Sequence, residues 1–390
     1  MKIDTFKIER YFAEYELKAK YLLSNSDCDG FSLDYILERA DSPEKKLWDN
    51  LKFNYTEPQG LPQLRETIAA EYRTIGPENV VVLSPGEANF TFMNLVLKPG
   101  DHIICMWPAY QSLYQVAKSL GCEISLWKPR EEGWAYQLED LKGLAHKNTK
   151  ALVVNFPHNP TGFLPSREEM QEMADFARAH RLKVFSDEMY HRLVFDEENA
   201  IPAFCDIYEE AVSLWGLSKS FGLAGLRLGW IATRNRELLE GILGFKDYLS
   251  MCNNALSEVL AITAIKKKED FIGHNVRKIK KNIELFRAFA SDHNSLLEFV
   301  KPIAGSTAFV RLKTTESTFG YCQRLMNETG ILLLPSEILE YGSGFVRVGF
   351  GRANMATGLE QWGAYISKSS MDNVRTADSP ISLTDRILGR

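Results

Sequence analysis

Lys219 and Arg227 frame a stretch whose residue types suit covalent chemistry: Leu217-Ser218-Lys219-Ser220-Phe221-Gly222-Leu223-Ala224-Gly225-Leu226-Arg227-Leu228-Gly229-Trp230. It follows an apolar run, Ala211-Val212-Ser213-Leu214-Trp215, and closes into another, Leu228 to Ala232, each of which reads as a short buried strand. A lysine held between buried strands loses hydration, which favours the neutral, nucleophilic amine. Such an amine forms a Schiff base with a carbonyl. Gly222, Gly225 and Gly229 let backbone approach a ligand closely, and Arg227 offers a permanently charged fork for a phosphate. Taken alone, a lysine beside a glycine-rich loop is more often structural, and the stretch also fits a surface turn.

Four further stretches carry chemistry-bearing groups. Val80 to Leu83 reads as a strand, and Ser84-Pro85-Gly86-Glu87-Ala88-Asn89 turns from it into a helix running to about Leu97. A glycine turn at a helix N-terminus directs free N–H groups and the helix dipole at an anion. Asn155-Phe156-Pro157-His158-Asn159-Pro160-Thr161-Gly162 ends another apolar run in a loop fixed by two prolines and a glycine, either proline being able to be cis. Leu182 to Phe185 leads into Ser186-Asp187-Glu188-Met189-Tyr190, where Asp187 also fits a helix N-cap and Glu188 faces elsewhere. Arg347 lies within the strand-like Phe345-Val346-Arg347-Val348-Gly349, where an arginine in a surface ion pair is the plainer reading.

Taken in chain order, from Ser84 to Arg347, the stretches resemble the class I/II aminotransferases, the pyridoxal 5'-phosphate (PLP) enzymes of fold type I. The resemblance implies that Lys219 carries the cofactor as a Schiff base and that Asp187 keeps its pyridine nitrogen protonated, so that the ring accepts electrons. It implies that Tyr190 and Asn159 donate to the phenolic oxygen and that Tyr110, after Pro108, stacks on the ring. The turn at Gly86, with the amides of Glu87 and Ala88, would cradle the phosphate with Ser218 and Arg227. Arg347, with Asn159 beside it, would grip the substrate α-carboxylate. Tyr55 matches a tyrosine that reaches the cofactor of the other subunit, which makes a homodimer the expected assembly. One departure is Gly216, where relatives carry a serine or threonine three residues before the lysine. His158 varies in the family and reads as a loop-surface residue.

The activity implied is transfer of an amino group between an L-amino acid and a 2-oxo acid. A rival is elimination or cyclisation. The Tyr21-Leu22-Leu23-Ser24-Asn25-Ser26 patch and the Tyr55-Thr56-Glu57-Pro58-Gln59-Gly60 loop are somewhat similar to the capreomycidine-synthase group, and Asp27 and Asp29 would receive a basic side chain. By itself the patch from Ser24 to Gly30 reads as a solvated turn before a helix capped by Ser32.

The elements that must position these groups alternate, strand and helix, from about residue 79 to residue 232, the pattern of a mostly parallel sheet covered on both faces. The motifs fall at strand C-terminal ends, where open α/β sheets bind ligands. The expected architecture is α/β: a seven-stranded, mostly parallel sheet in a large domain and a small α+β domain. The expected divisions are an N-terminal segment 1–48, a large domain 49–268, a small domain 269–368 and a loosely packed tail 369–390. Phe309 to Leu312, Ile331 to Leu334 and Phe345 to Gly349 are the small domain's strands, and a charged amphipathic helix spans about 270–290. Phe6, Ile8, Tyr11, Phe12 and Tyr15 fall at helical spacing and cover apolar surface.

A net charge of −5 gives no footprint for nucleic acid, and the 48 residues of the first segment leave little room for a DNA-binding domain, which argues against a regulator built on this fold. Six cysteines without a C-x-x-C pair read as thiols of a reduced compartment. The first residues lack a signal-type apolar core and no run approaches a membrane span, so no membrane partner is expected and a cytoplasmic location is.

Overall fold

The computed structural model describes residues 2–372. Seven strands form the larger sheet: β1 (Val80–Leu83), β2 (His102–Met106), β3 (Glu123–Trp127), β4 (Thr149–Asn155), β5 (Lys183–Asp187), β6 (Ala211–Gly216) and β7 (Gly229–Ala232), in the order β1-β7-β6-β5-β4-β2-β3. Only β7 runs against its neighbours. Most of these strands are buried along their whole length, as expected of continuous Val/Ile/Leu runs covered by helices on both faces.

Register decides which residues meet. Asn155 pairs with Asp187, and Asp187 with Leu214, so the C-terminal ends of β4, β5 and β6 present one row of residues at a common level. The chain leaves β6 into the Lys219 turn at that same edge. Because β1 and β6 both oppose β7, β1 also ends there, and Ser84 caps helix Pro85–Val96 from that position.

The smaller sheet contains β8 (Leu297–Glu298), β9 (Thr307–Leu312), β10 (Leu334–Pro335) and β11 (Phe345–Gly349), ordered β10-β11-β9-β8. The expected strand over Ile331 to Leu334 is shorter: Ile331 makes an isolated bridge with Tyr21, and only Leu334 and Pro335 pair with β11. The charged helix spans His274–Asp292 and buries Ile279, Ile283 and Phe286, leaving Lys280 and Lys281 exposed while Lys278 turns in to pair with Asp29. The N-terminal segment packs against this sheet. Tyr11 donates to the Leu333 carbonyl at 2.7 Å, and Gly349 N–H donates to the Leu23 carbonyl at 2.8 Å. The last helix, Met355–Asp372, runs into the expected tail, so 369–372 are helical and the rest of 369–390 lies outside the described residues. Among the described residues no helix is long and apolar enough to cross a membrane.

Candidate active site

A cavity of about 420 Å³ opens over the aligned ends of β4, β5 and β6 and is closed on the far side by the N-terminal segment and β11. Of the residues singled out from sequence, Gly86, Tyr110, Asn159, Asp187, Tyr190, Ser218, Lys219, Arg227 and Arg347 line it. Glu87, Ala88 and Tyr55 do not. The Glu87 N–H is taken by the Ser84 cap at 3.4 Å and the Ala88 N–H by the Ser84 carbonyl at 3.1 Å, as befits the first turn of a helix. The Glu87 carboxylate accepts from Ser250 at 2.8 Å. Tyr55 is 85% exposed on a loop whose neighbour Thr56 contacts the Asn253 carbonyl.

Asp187 is buried, and one of its oxygens accepts from Met189 N–H at 3.1 Å. Burial pushes its carboxyl up to about 6, opposed by that N–H and by the charge of Lys219. Glu188 points the other way, accepting from Phe204 N–H at 2.9 Å and from the Ser213 hydroxyl at 2.7 Å, and burial pushes it up to about 7. Arg347 is 2% exposed and has no carboxylate partner among the described residues. Its Nε donates to the Ser24 carbonyl at 2.9 Å and its Nη1 to Asn159 Oδ1 at 3.2 Å. This is a desolvated, uncompensated cation rather than a surface ion pair, and burial lowers its pKa. Asn159 spends its carbonyl on Arg347 and keeps its Nδ2 free of protein partners among the described residues.

The loop carrying Asn159 is braced from behind by His158, which is buried and not on the surface as expected. Its Nε2 donates to the Pro108 carbonyl at 2.9 Å, which leaves Nδ1 to accept from Thr161 Oγ1 at 2.7 Å. Burial holds the imidazole down to about 3, so it stays neutral. The bonds before Pro108, Pro157 and Pro160 are cis.

Gly216 is more than a missing hydroxyl. It faces Gly229 across the β6–β7 pair, and a Cβ there would lie 2.8 Å from the Gly229 Cα and 3.1 Å from the Leu228 carbonyl oxygen. The two strands approach too closely for a side chain.

Of the opposite wall, sequence reasoning marked the Ser24 to Ser26 patch and Asp27 but not Glu9 or Glu16. Glu9, Phe12 and Glu16 fall on one face of helix Lys7–Tyr15 and the turn after it, and line the cavity with Asn25, Ser26 and Asp27. The patch read as a solvated turn is in fact buried at Ser24, Asn25 and Ser26, and Lys219 Nζ donates to Ser26 Oγ at 3.0 Å. Asp27 and Asp29, expected to receive a basic group, are already paired: Arg352 pairs with both, at 3.0 and 3.4 Å, and Lys278 with Asp29 at 3.1 Å. The spacing of Glu9, Phe12 and Glu16 was a visible signal, but periodicity alone does not distinguish a cavity wall from a core face.

What the cavity leaves unpaired suits a flat, phosphorylated pyridine. Asn89 Oδ1 is buried without a hydrogen-bond partner. Arg227 has no anionic partner among the described residues, and its Nη1 contacts only the Ala224 carbonyl at 3.1 Å. The Ser218 and Tyr190 hydroxyls are likewise uncommitted there. A carboxylate for a ring N–H at one end and a cation with hydroxyls for a phosphate at the other match that group's charges.

A lysine in the turn leaving a mostly parallel sheet, opposite a strand-borne arginine of a second sheet, is an arrangement suited to an aldehyde cofactor and an anionic substrate. The comparisons agree: residues 18–360 match the family described as aminotransferase class I and II. The chain belongs to that family, and is a PLP-dependent enzyme of fold type I. It is 28% identical over 358 residues to capreomycidine synthase of Streptomyces vinaceus, covering 90% of each chain. It is 26% identical over 362 residues to the aspartate aminotransferase of Thermotoga maritima, covering 89% of this chain and 92% of that one. A PLP-dependent aminotransferase structure from Streptococcus suis superposes with a TM-score of 0.88 at 27% identity, covering 94% of this chain and 99% of the other.

Proposed function

We propose that the enzyme moves an amino group between an L-amino acid and a 2-oxo acid, with Lys219 as the amine at the reacting centre. The observation that carries this reading is the convergence of Lys219, Asp187 and an unpaired, buried Arg347 on one cavity. PLP, when bound, supplies an electrophilic aldehyde and a ring that takes up the electrons left when the substrate Cα loses its proton. Arg347 binds the α-carboxylate by its fork, at little reorganisation, since Ser24 and Asn159 already fix its plane. Lys219 Nζ would take the Cα proton and return it two bonds away, at the carbon on the other side of the substrate nitrogen. Asp187 would hold a proton on the ring nitrogen, and Asn159 Nδ2 and the Tyr190 hydroxyl would donate to the ring oxygen. Arg227, Ser218 and the turn at Gly86 would hold the phosphate, and Tyr110, whose hydroxyl donates to Glu9 at 2.6 Å, would cover the ring.

A second reading is elimination or cyclisation on a basic amino acid, and one observation bears on that substrate. Glu9 and Glu16 line the cavity with no ion-pair partner among the described residues, because Lys7 pairs with Glu340 and Lys18 with Glu14. A cationic substrate side chain would neutralise them under either reaction.

Mixing the loaded enzyme with single amino acids decides between the two. Transamination converts the visible absorbance to a stable ultraviolet form, and a 2-oxo acid restores it. Release of ammonia, or of a cyclised amino acid, with the visible band retained would overturn the first reading in favour of the second. We also propose a cytoplasmic location and a homodimer.

A further inference from the structure

The amine of Lys219 makes one side-chain hydrogen bond among the described residues, to Ser26 Oγ at 3.0 Å. Ser26 does not belong to the sheet that carries the lysine. Its carbonyl accepts from the Ser306 hydroxyl at 2.6 Å, before β9, and the segment around it is laid along β11. Gly349 N–H donates to the Leu23 carbonyl at 2.8 Å, and Asp29 N–H to the Gly351 carbonyl at 3.2 Å. The contact is so close that a Cβ on Gly349 would lie 1.8 Å from the Asn25 carbonyl oxygen. Two residues before Ser26, the Ser24 carbonyl accepts from Arg347 Nε at 2.9 Å.

A lysine amine rides on a flexible four-carbon stem and needs a partner to hold it. A hydroxyl is suited to this because it accepts from an ammonium and donates to a neutral amine, so the contact survives gain and loss of a proton. Asp187 and Tyr190 also face the amine's cavity, but neither makes a hydrogen bond with it.

We propose that Ser26 is the positioning residue for the Lys219 amine. One short segment, Ser24 to Ser26, then references both the arginine for the substrate carboxylate and the amine for the Cα proton to the same strand. The inference rests on Lys219 being the proton-carrying amine; turnover by Lys219→Ala would overturn that premise by itself, independently of any result at Ser26.

The test uses the PLP-loaded enzyme with Ser26→Ala, Ser26→Thr and Ser26→Cys. In the alanine variant kcat should fall about tenfold or more while KM stays within about threefold, since a hydrogen bond to a charged group is lost but Arg347 is not. The pH midpoint of the cofactor's visible absorbance should move down by about half a unit or more, because an acceptor for the protonated nitrogen is gone. Threonine, which keeps the hydroxyl, should restore both. If the alanine variant fails to fold or to hold PLP, the cysteine variant keeps the size with a weak hydrogen-bonding group and should show the same fall. An alanine or cysteine variant with wild-type kcat and midpoint overturns the proposal, as does a threonine variant impaired like alanine with KM rising in step.

Discussion

At the scale of single residues, burial decides the chemistry. Asp187 rests at about 6 in the folded chain against an ordinary 3.8, chiefly through desolvation. Between those values the folded state holds the proton more tightly than the unfolded one, so this group's contribution to stability falls as pH rises from about 4 through 6 and is flat above. Asp187→Asn should therefore stabilise the cofactor-free protein at pH 7.5 by on the order of 2 kcal/mol and by little at pH 4. Urea unfolding at both values checks it, and equal effects at the two would refute it. In the loaded enzyme the same variant should lose more than about tenfold in rate, over ~1.4 kcal/mol of barrier, with a much smaller loss of PLP affinity. Lys219→Ala should abolish turnover, and borohydride reduction of the wild type should leave the pyridoxyl group on Lys219 in a peptide map. That Lys219, Asp187, Arg227 and Arg347 would meet was legible only from the order of their motifs along the chain, since Lys219, Asp187 and Arg347 taken singly each also fit a structural place. Ser26 and Glu16 were not legible, since their meaning comes from a segment folded back across the chain from far away in sequence.

Among the elements, the strands were the readable part. Val80–Leu83 and Phe345–Gly349 are found as expected because apolar β-branched runs bounded by Gly, Pro and Ser leave few alternatives. What was not readable is register, and Gly216 shows its consequence. Against the family pattern it is a lost phosphate contact, and Gly216→Ser would be expected to help. In the folded chain it meets Gly229 across β6 and β7, and Gly229 in turn leaves room for Pro85 at the head of the next helix, 3.0 Å from a Cβ built there. Serine would push β6 and β7 apart under the lysine turn. Gly216→Ser should lower stability by about 1–3 kcal/mol, the cost of overpacking, and weaken PLP several-fold. Thermal unfolding and PLP titration of this variant measure both, and tighter PLP binding at unchanged melting temperature would refute the steric account. His158 failed for the same reason: nothing local marks a proline-flanked histidine as buried until Thr161, Tyr136 and Pro108 are brought around it.

At the scale of the whole molecule the exposed aromatics need an explanation. Phe53 and Tyr248 are 84% and 91% exposed, and with Tyr55 and the half-exposed Leu249 they sit on two segments joined through Thr56 and the Asn253 carbonyl. The base of the first segment is fixed, since Glu258 accepts from Leu61 N–H at 3.3 Å and from Asn253 Nδ2 at 2.8 Å. Large apolar side chains held outward on an anchored loop suit a partner surface better than open solvent. The expected partner is a second copy, placed by a two-fold axis so that each chain gives and receives the same loop. In that arrangement Tyr55, outside its own cavity, would reach the phosphate end of its partner's. Sedimentation should then give a dimer, and Tyr248→Asp, which sets two carboxylates into the apolar contact, should give a monomer that loses PLP. Tyr55→Phe should leave the dimer intact and weaken PLP by about threefold to tenfold, the worth of one hydrogen bond. A wild-type monomer with full activity, or a Tyr248→Asp monomer that holds PLP as tightly as the wild type, would show that each site is complete within one chain.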